Sequence, residues 1–295
     1  MTRGRGRALG SCETGVGRRR PARLPAGGFD RMSEPEARIS AFVIARDEED
    51  GIVRCLRSIS WADERLVVVD AATTDRTAEM ARPLATDVIV RPWEGFVGAK
   101  RFAIAATRHP WVFWIDADEE ATPALADAIR SRLHDPGPFA GFEVRRRNHY
   151  LGRTIRHGNW GHDRVLRLFR REKGSFPDRE VHESMAVEGP VGRLDGYLEH
   201  WSYRDLGHHI RKIENLSRLW AVQAAARGAR AGVLDLLLRP PIRFVKGYLL
   251  RAGFLDGKAG LVLALMDSLY VGMKYARLLE REDGKRKRID TREEQ

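Results

Sequence analysis

The sequence has few cysteines and lacks a long apolar run. Only Cys12 and Cys55 occur among its 295 residues, which excludes a disulfide framework and indicates a reducing compartment. Asp267 and the prolines at 240–241 interrupt the apolar stretches near the C-terminus, so none reaches the ~20 apolar residues that a membrane-spanning helix needs. Paired cysteines and a His-Glu-x-x-His pattern are also absent, which disfavours a zinc enzyme.

The net charge of +11 is unevenly distributed along the chain. Residues 1–31 carry +6 and residues 201–295 carry +8, which leaves −3 for residues 32–200. A nucleic-acid-binding domain is expected to carry its basic patch on the fold itself. The distribution therefore indicates no nucleic-acid partner, and instead a body whose C-terminal segment is attracted to an anionic surface such as a membrane.

Residues 1–31 are rich in arginine, glycine and proline, a composition typical of disorder. They lack the continuous apolar stretch of a secretory signal. Met32 begins the segment that leads into the first predicted strand. We therefore interpret Met32 as the natural start and the preceding residues as an upstream over-call, with a transit peptide as the alternative.

From residue 39 onward, apolar strand patterns alternate with helical patterns. Strands are predicted over 39–45, 65–71, 87–93 and 111–117, and helices over 49–60, 74–84, 96–108 and 123–133. Near-continuous apolar strands separated by helices predict an α/β fold with a parallel sheet covered on both faces. Residues 141–200 are more polar and turn-rich, which favours antiparallel strands and loops. A helix is predicted over 205–228, helical segments continue to 282, and 283–295 form a charged tail.

Acidic residues follow two of the predicted strands. Asp116 and Asp118 lie at the end of the strand in "WVFWIDADEE", and Asp70 lies at the end of the second predicted strand, in "VVVDAATTD". Because ligands of such sheets bind beyond the carboxyl ends of the strands, these acids should share one rim. An Asp-x-Asp pair suits Mg²⁺ or Mn²⁺, and magnesium commonly completes its shell with phosphate oxygens. The alternative is a solvated strand-end cluster, the interpretation we adopt for Glu119 and Glu120.

Two further acids are candidates for the same pocket. Asp70 could accept hydrogen bonds from a nucleotide base or ribose, or could be a simple turn residue. Glu48, which follows the first strand in "ARDEED", could face the same ligand, or could be a solvated loop acid.

Together these motifs resemble family 2 glycosyltransferases with the GT-A fold. The family's acidic pair, second strand and Asp-x-Asp strand correspond to "RDEE", "DAATTDRT" and "IDADEE". The stretches "SWADERLVVVD", "GNWGHDRVLRLFRRE", "VHESM", "LEHWSYRD" and "LLRAGFLDGKAGL" resemble the bacterial branch that includes lipopolysaccharide core β-1,4-glucosyltransferases. The resemblance covers roughly residues 38–280. It implies a Rossmann-like, mostly parallel sheet flanked by helices, with a GT-A catalytic domain over 32–204 and a helical membrane-interface extension over 205–282.

The resemblance also implies an activity and a set of site residues. The expected reaction moves a hexose, with inversion, from a nucleotide-diphosphate sugar, UDP-glucose favoured, to a lipid-linked glycan such as lipopolysaccharide core. Asp118, Asp116 and His200 are the expected ligands of Mg²⁺ or Mn²⁺, and Glu183 in "VHESM" is the expected general base. The donor would be bound by Glu48, Asp70, Asp116, Lys100 and Arg164.

Several alternatives remain open at this stage. Ala71 and Ala72 stand where the family has Ser-Gly, and Ala99 and Arg101 stand where Gln and Asn are usual, so the donor sugar is not fixed. His200 could be structural, Asp163, Arg164 and Arg167 could form a structural ion pair, and Trp160 could pack in the core rather than stack on a sugar. The acceptor could be another polysaccharide or a protein.

Two other classes of protein compete with this interpretation. A phosphatase of the haloacid dehalogenase type also uses Asp-x-Asp, but it requires Thr or Val where Glu120 stands here. A non-catalytic membrane-surface adaptor would need none of the acids.

The basic C-terminal segment suggests where the protein acts. It interleaves basic with aromatic and aliphatic residues, a composition typical of helices in the membrane interface. We therefore expect a peripheral protein on the cytoplasmic, inner face of the bacterial inner membrane. The alternative is that the same apolar residues cover the sheet as an ordinary helical appendage.

Overall fold

The computed structural model describes residues 38–161, 163–176 and 185–293, with side chains as far as residue 281. The segment predicted to be disordered, 1–31, lies outside the described residues. The strands in the described ranges are β1 (Ile39–Ala45), β2 (Glu64–Asp70), β3 (Asp87–Arg91), β4 (Trp111–Asp116), β5 (Glu119–Ala121), β6 (Gly141–Tyr150), β7 (Arg153–Thr154), β8 (Asp163–Arg170), β9 (Gly174–Ser175), β10 (Ala186–Val187) and β11 (Val191–His200).

The main sheet has the strand order β3-β2-β1-β4-β8-β6-β11-β5, with β7 paired to β6. Strands β3, β2, β1 and β4 are parallel to one another. Strand β8 is antiparallel to both β4 and β6, β11 is parallel to β6, and β5 is antiparallel to β11. Strands β9 and β10 form a separate antiparallel pair. The parallel half contains the predicted strands, and the remainder has the antiparallel pairs expected for 141–200.

Helices cover both faces of the parallel half. The first four are α1 (Glu49–Ser58), α2 (Thr77–Ala81), α3 (Gly95–Ala106) and α4 (Pro123–His134). Val43 and Phe113 point into the core that α1 and α4 cover, whereas Phe42 and Trp114 point into the core on the α3 side. Both faces are buried, which is why the strands appear in the sequence as continuous apolar runs. The predicted fold class is confirmed: a sheet flanked by helices, with a C-terminal helical region.

The C-terminal region consists of helices joined by short connections. It comprises α5 (Leu206–Ala226), α6 (Val233–Val245), a π-helical turn (Lys246–Leu250), a 3₁₀ turn (Gly253–Asp256) and α7 (Gly257–Glu293), and both α5 and α6 pack along α7. Helix α7 thus extends into the segment assigned to the charged tail. None of the helices in the described ranges combines the length and apolar character needed to cross a membrane.

Candidate active site

The sheet topology brings the ends of several strands to one rim. Asp70 is the last residue of β2 and Asp116 the last of β4, and both strands run parallel to β1 between them. The short strand β5 pairs antiparallel with the end of β11, so that His200 lies opposite Glu119. The amide of Trp201 donates to the carbonyl of Asp118 over 3.0 Å, which fixes the Asp-x-Asp turn beside the end of β11.

Asp116 is held by a buried arginine. Arg167 Nη2 donates to Asp116 Oδ2 over 2.7 Å and to Glu119 Oε1 over 2.6 Å. The guanidinium of Arg167 is 1% exposed and lies 3.5 Å from the ring centre of Trp114. Burial raises the pKa of Asp116, but the charges of Arg167 and Lys100 lower it by more, so the pKa lies below its ordinary value and the carboxylate is ionised.

A β-bulge explains how Arg167 reaches these acids. In the β6–β8 ladder, Phe142 pairs with Leu168 and Glu143 pairs with Leu166, which leaves Arg167 as the extra residue on β8. A bulge changes the direction of a side chain relative to simple alternation. Here it directs the guanidinium over Trp114 and toward the end of β4.

The interpretation of Glu119 as a solvated acid at the start of a helix is wrong. Glu119 is fully buried in β5, and its Oε2 accepts a hydrogen bond from the amide of Asp116 over 3.1 Å. Burial raises its pKa even though the charge of Arg167 opposes the shift. Glu119 and Asp116 share one arginine, and Arg146 adds a second positive charge 3.4 Å from Glu119. Glu120 is half-buried and lies 3.7 Å from Arg54.

Asp118 lies beside His200. Asp118 Oδ2 is 3.5 Å from His200 Nε2, and Asn148 Oδ1 is 2.6 Å from His200 Nδ1. Asn148 Nδ2 donates to the carbonyl of Trp160, so its amide oxygen faces the ring and accepts from Nδ1. Ser202 Oγ also lies 3.0 Å from Nε2. Burial raises the pKa of Asp118, and the hydrogen bond and charge of His200 lower it by more.

Asp118 and His200 could provide two ligands for a divalent cation that takes its other ligands partly from the substrate. Asp118 Oδ2 and His200 Nε2 lie close enough to contribute to one coordination shell, with a carboxylate oxygen as the type of ligand that Mg²⁺ and Mn²⁺ prefer. Among the residues that the structure describes, no group of three or more His, Cys, Asp or Glu side chains could hold a metal ion. Magnesium commonly needs only one or two protein carboxylates beside phosphate oxygens and water.

Asp70 and Glu48 occupy the neighbouring part of the rim. Asp70 is 2% exposed, accepts from the amide of Ala72 over 2.9 Å and lies 3.2 Å from Arg46 Nη1. Glu48 immediately precedes α1. Burial and the nearby charges of Asp118 and Asp116 raise the pKa of Glu48 to about 7, although Lys212 and Arg204 oppose the shift. The structure thus brings Glu48 near the Asp-x-Asp pair.

Lys100 and Arg164 differ in their relation to the site. Lys100 on α3 is 6% exposed, its Nζ lies 4.5 Å from the ring centre of Trp114, and its charge lowers the pKa of Asp116. Arg164 lies on β8. Within the described residues, no hydrogen bond or ion pair joins Arg164 to the acids, and its Nη1 is buried without a hydrogen-bond partner.

The remaining candidates are Glu183, Asp163 and Trp160. Glu183 lies outside the described residues. Asp163 Oδ2 accepts a hydrogen bond from Arg146 Nε over 2.7 Å, and the two side chains form an ion pair. Asp163 therefore has a structural role. Trp160 packs in a cluster with Tyr150 and Tyr203.

Two small residues beneath the Asp-x-Asp turn were not singled out from the sequence. A Cβ atom on Gly51 would lie 2.6 Å from the carbonyl oxygen of Ala117, so only glycine allows α1 to approach the turn this closely. The thiol of Cys55 is buried and donates to the carbonyl of Asp116 over 3.4 Å. Burial and the neighbouring acids, Glu119 foremost, raise the pKa of Cys55 well above its usual value, so the thiol is neutral.

The chain that carries these strand-end acids matches a known family of enzymes. The chain matches the model of glycosyl transferase family 2 over residues 40–187, and it belongs to that family. It is a glycosyltransferase. Among curated proteins it is similar to the lipopolysaccharide core biosynthesis glycosyltransferase LpsC of Rhizobium meliloti (strain 1021), with 31% identity over 84% of this chain and 94% of the relative. It is also similar to the uncharacterized glycosyltransferase RT0209 of Rickettsia typhi, with 27% identity over 82% and 87% of the two chains.

Solved structures give more distant matches. The mannosyltransferase PcManGT of Pyrobaculum calidifontis, in complex with GDP-Man and Mn²⁺, matches with a TM-score of 0.46 and 19% identity over 82% of this chain and 86% of that chain. Glucosyl-3-phosphoglycerate synthase of Mycobacterium tuberculosis matches with a TM-score of 0.43 and 17% identity over 66% and 80%.

Proposed function

We propose that this glycosyltransferase moves a hexose, with inversion at the anomeric carbon, from a nucleotide-diphosphate sugar to a lipid-linked glycan, and that UDP-glucose is the favoured donor. The observation that carries the proposal is the pairing of Asp118 with His200 beside an ionised Asp116, at the strand ends of a family 2 enzyme. The similarity to a relative named for lipopolysaccharide core biosynthesis supports a core oligosaccharide as the acceptor.

The described side chains suggest how the donor is bound. Asp118 and His200 would hold Mg²⁺ or Mn²⁺, which neutralises charge developing on the leaving diphosphate. Asp116 offers its second oxygen to the metal shell or to the ribose, because Arg167 holds only Oδ2. Asp70 and Glu48 would contact the nucleoside, and Lys100 would add positive charge near the diphosphate. Arg164 remains a candidate for the donor site on sequence grounds alone.

The acceptor hydroxyl must lose a proton as it attacks the anomeric carbon. We assign this general-base role to Glu183 on the resemblance of "VHESM" to the family. A carboxylate in this role takes the proton from the acceptor oxygen as the new glycosidic bond forms and the nucleoside diphosphate leaves.

The same proposal places the enzyme at a membrane. A lipid-linked acceptor is presented at the inner face of the bacterial inner membrane, and the nucleotide sugar is supplied from the cytosol. The +8 charge of residues 201–295 supports attraction to an anionic lipid surface.

Calorimetry with UDP, GDP, CDP and dTDP, each with and without Mn²⁺, tests the donor part. We expect UDP to bind best and its affinity to depend on Mn²⁺. Transfer is then measured from radiolabelled UDP-glucose to lipopolysaccharide extracted from a strain that lacks this enzyme. Tight binding of another nucleotide would overturn the UDP assignment, and transfer only to a polysaccharide or protein acceptor would overturn the lipid-linked acceptor.

A further inference from the structure

The helical extension exposes an unusual amount of apolar side chain. Between Val233 and Leu255, ten apolar residues are 41–78% exposed, and no residue of α6 is buried. Leu234, Leu238 and Ile242 follow one another at four-residue spacing and therefore lie along one side of α6. The exposed apolar surface of 233–255 is called the apolar ridge below. A soluble surface rarely exposes a contiguous apolar patch of this kind without a partner.

The exposure does not come from a loosely attached helix. The carbonyl of Pro240 accepts from Ser268 Oγ over 2.9 Å, and Arg243 Nη2 donates to Asp267 Oδ2 over 3.0 Å. Asp267 also accepts from Asn159 Nδ2 over 2.7 Å, which joins α7 to the loop after β7. These contacts hold one side of α6 against α7, and the apolar ridge faces solvent.

The 3₁₀ turn is attached to the catalytic domain in the same way. Asp256 is 8% exposed and accepts from the amides of Arg156 and His157 over 3.2 and 2.8 Å. A Cβ on Gly260 would lie 2.0 Å from the carbonyl oxygen of Gly253, so the turn is packed directly against α7. The ridge is therefore attached to the rest of the protein at both α6 and the 3₁₀ turn.

The charges around the ridge are predominantly basic. Residues 233–258 contain five basic and two acidic residues. One of the acids, Asp256, is buried, and the other, Asp235, accepts from Arg239 Nε over 2.5 Å. Lys246 and Lys258 are exposed beside the apolar side chains. An apolar surface with a basic border is complementary to the interface of an anionic bilayer.

We propose that the apolar ridge lies in the interfacial layer of an anionic lipid membrane, with α6 parallel to the surface and Lys246 and Lys258 toward the lipid phosphates. This inference specifies the membrane contact of the proposed function. A second copy of the chain is a poorer occupant, since a two-fold contact would bring the same basic border against itself.

The ridge is connected to the active-site rim through few residues. Trp201 contacts Asp118, and Tyr203, two residues later, packs in one cluster with Ala259 and Leu263 of α7. The bilayer contact would thus hold the active site at a fixed position relative to the lipid surface, as an enzyme with a lipid-linked acceptor requires.

Sedimentation of the full-length protein with vesicles tests the proposal. Vesicles of phosphatidylglycerol and phosphatidylethanolamine are compared with neutral phosphatidylcholine vesicles across a salt series. Wild type should bind the anionic vesicles, and binding should weaken as salt rises because exposed charges are screened. Leu237→Glu combined with Leu250→Glu should weaken binding by at least about tenfold, since these side chains are 61% and 78% exposed and would insert.

Val90→Glu is the matched control, because Val90 is 49% exposed on the edge strand β3, outside the ridge. It should bind vesicles like wild type, and thermal unfolding should show that all variants are folded. Equal vesicle binding by the double variant and wild type would overturn the proposal. So would light scattering that shows a wild-type dimer and a monomeric double variant. Vesicle binding requires no catalysis, so failed transfer with intact vesicle binding would count against the proposed function alone.

Discussion

Asp116 and Arg167 are joined by a 2.7 Å hydrogen bond in which a buried guanidinium holds a partly exposed carboxylate. The same nitrogen holds Glu119, so one positive charge is shared between two acids. Arg167 and Glu119 are both almost fully buried. Removal of one charge would leave another charge uncompensated in the interior.

Arg167→Met should therefore destabilise the protein by about 3–5 kcal/mol, the usual effect of breaking a buried ion pair. Adding Glu119→Gln should recover part of the loss, because the second change removes a buried carboxylate that has lost its main partner. Urea unfolding of the two single variants and the double variant measures the coupling. Arg193→Met is the control, since the Arg193 side chain is 74% exposed. Additive effects of the two substitutions would contradict the shared-charge interpretation.

The parallel half of the fold was predictable because its signals are local. The prediction of β1 over 39–45 agrees with the structure at both ends, and β4 was predicted one residue too long. Buried parallel strands are continuous apolar runs bounded by polar residues, so their limits are visible in the sequence. Helix α2 was predicted too long, over 74–84. It starts at Thr77 because Asp75 Oδ1 accepts from the amide of Thr77.

The electrostatic partners of the site were not predictable in the same way. The bulge that directs Arg167 to Asp116 and Glu119 depends on pairing between β6 and β8, and no local spacing marks it. Glu119 was misjudged because a run of four acids in five positions suggests exposure, whereas β5 pairs with β11 and buries it. Burial of a charge depends on a partner that lies 48 residues away.

Asp118→Asn should lower transfer by at least about 10²-fold, because a neutral amide at this position would hold only weakly the cation that would neutralise charge on the leaving diphosphate. It should also abolish the Mn²⁺ dependence of nucleotide binding in calorimetry. Glu120→Gln is the matched control, since Glu120 lies two residues away and pairs only weakly with Arg54. Full activity of the Asp118 variant would exclude its role in metal binding.

Asn148→Ala should weaken Mn²⁺ affinity by about 10–100-fold, as loss of a hydrogen bond to a metal-bound histidine commonly does. The reason is that Asn148 Oδ1 orients His200 through Nδ1. Titration of Mn²⁺ in the presence of UDP measures the effect. If His200 is structural, the variant should lose stability while its Mn²⁺ affinity stays at the wild-type value.

Glu183→Gln should reduce turnover by ~10²–10⁴ with nucleotide affinity nearly unchanged, because an amide of the same size cannot accept the acceptor proton. Single-turnover transfer and calorimetry separate the two quantities. Wild-type turnover in this variant would move the general-base role to another acid, with Asp178 as the next candidate.

His209 should make stability depend on pH. It is 2% exposed, accepts from Tyr150 Oη over 2.9 Å at Nδ1 and stacks on Tyr203. Burial, with Lys212 and His208, lowers its pKa from 6.5 to about 4. The unfolded chain therefore binds a proton at this histidine in a pH range where the folded protein does not. The contribution of His209 to the free energy of unfolding is fully present above pH 6.5 and is lost as the pH falls toward 4.

At pH 5 the loss from this group should be about 2 kcal/mol relative to pH 7.5. His209→Gln keeps a polar side chain that can pair with Tyr150 but cannot take up the proton, so its stability should fall less over the same interval. Urea unfolding at both pH values measures the difference. His134→Gln is the control, because His134 is exposed at the end of α4 and its replacement should leave the wild-type pH dependence in place. An unchanged pH dependence in the His209 variant would mean that protonation of another group limits stability in acid.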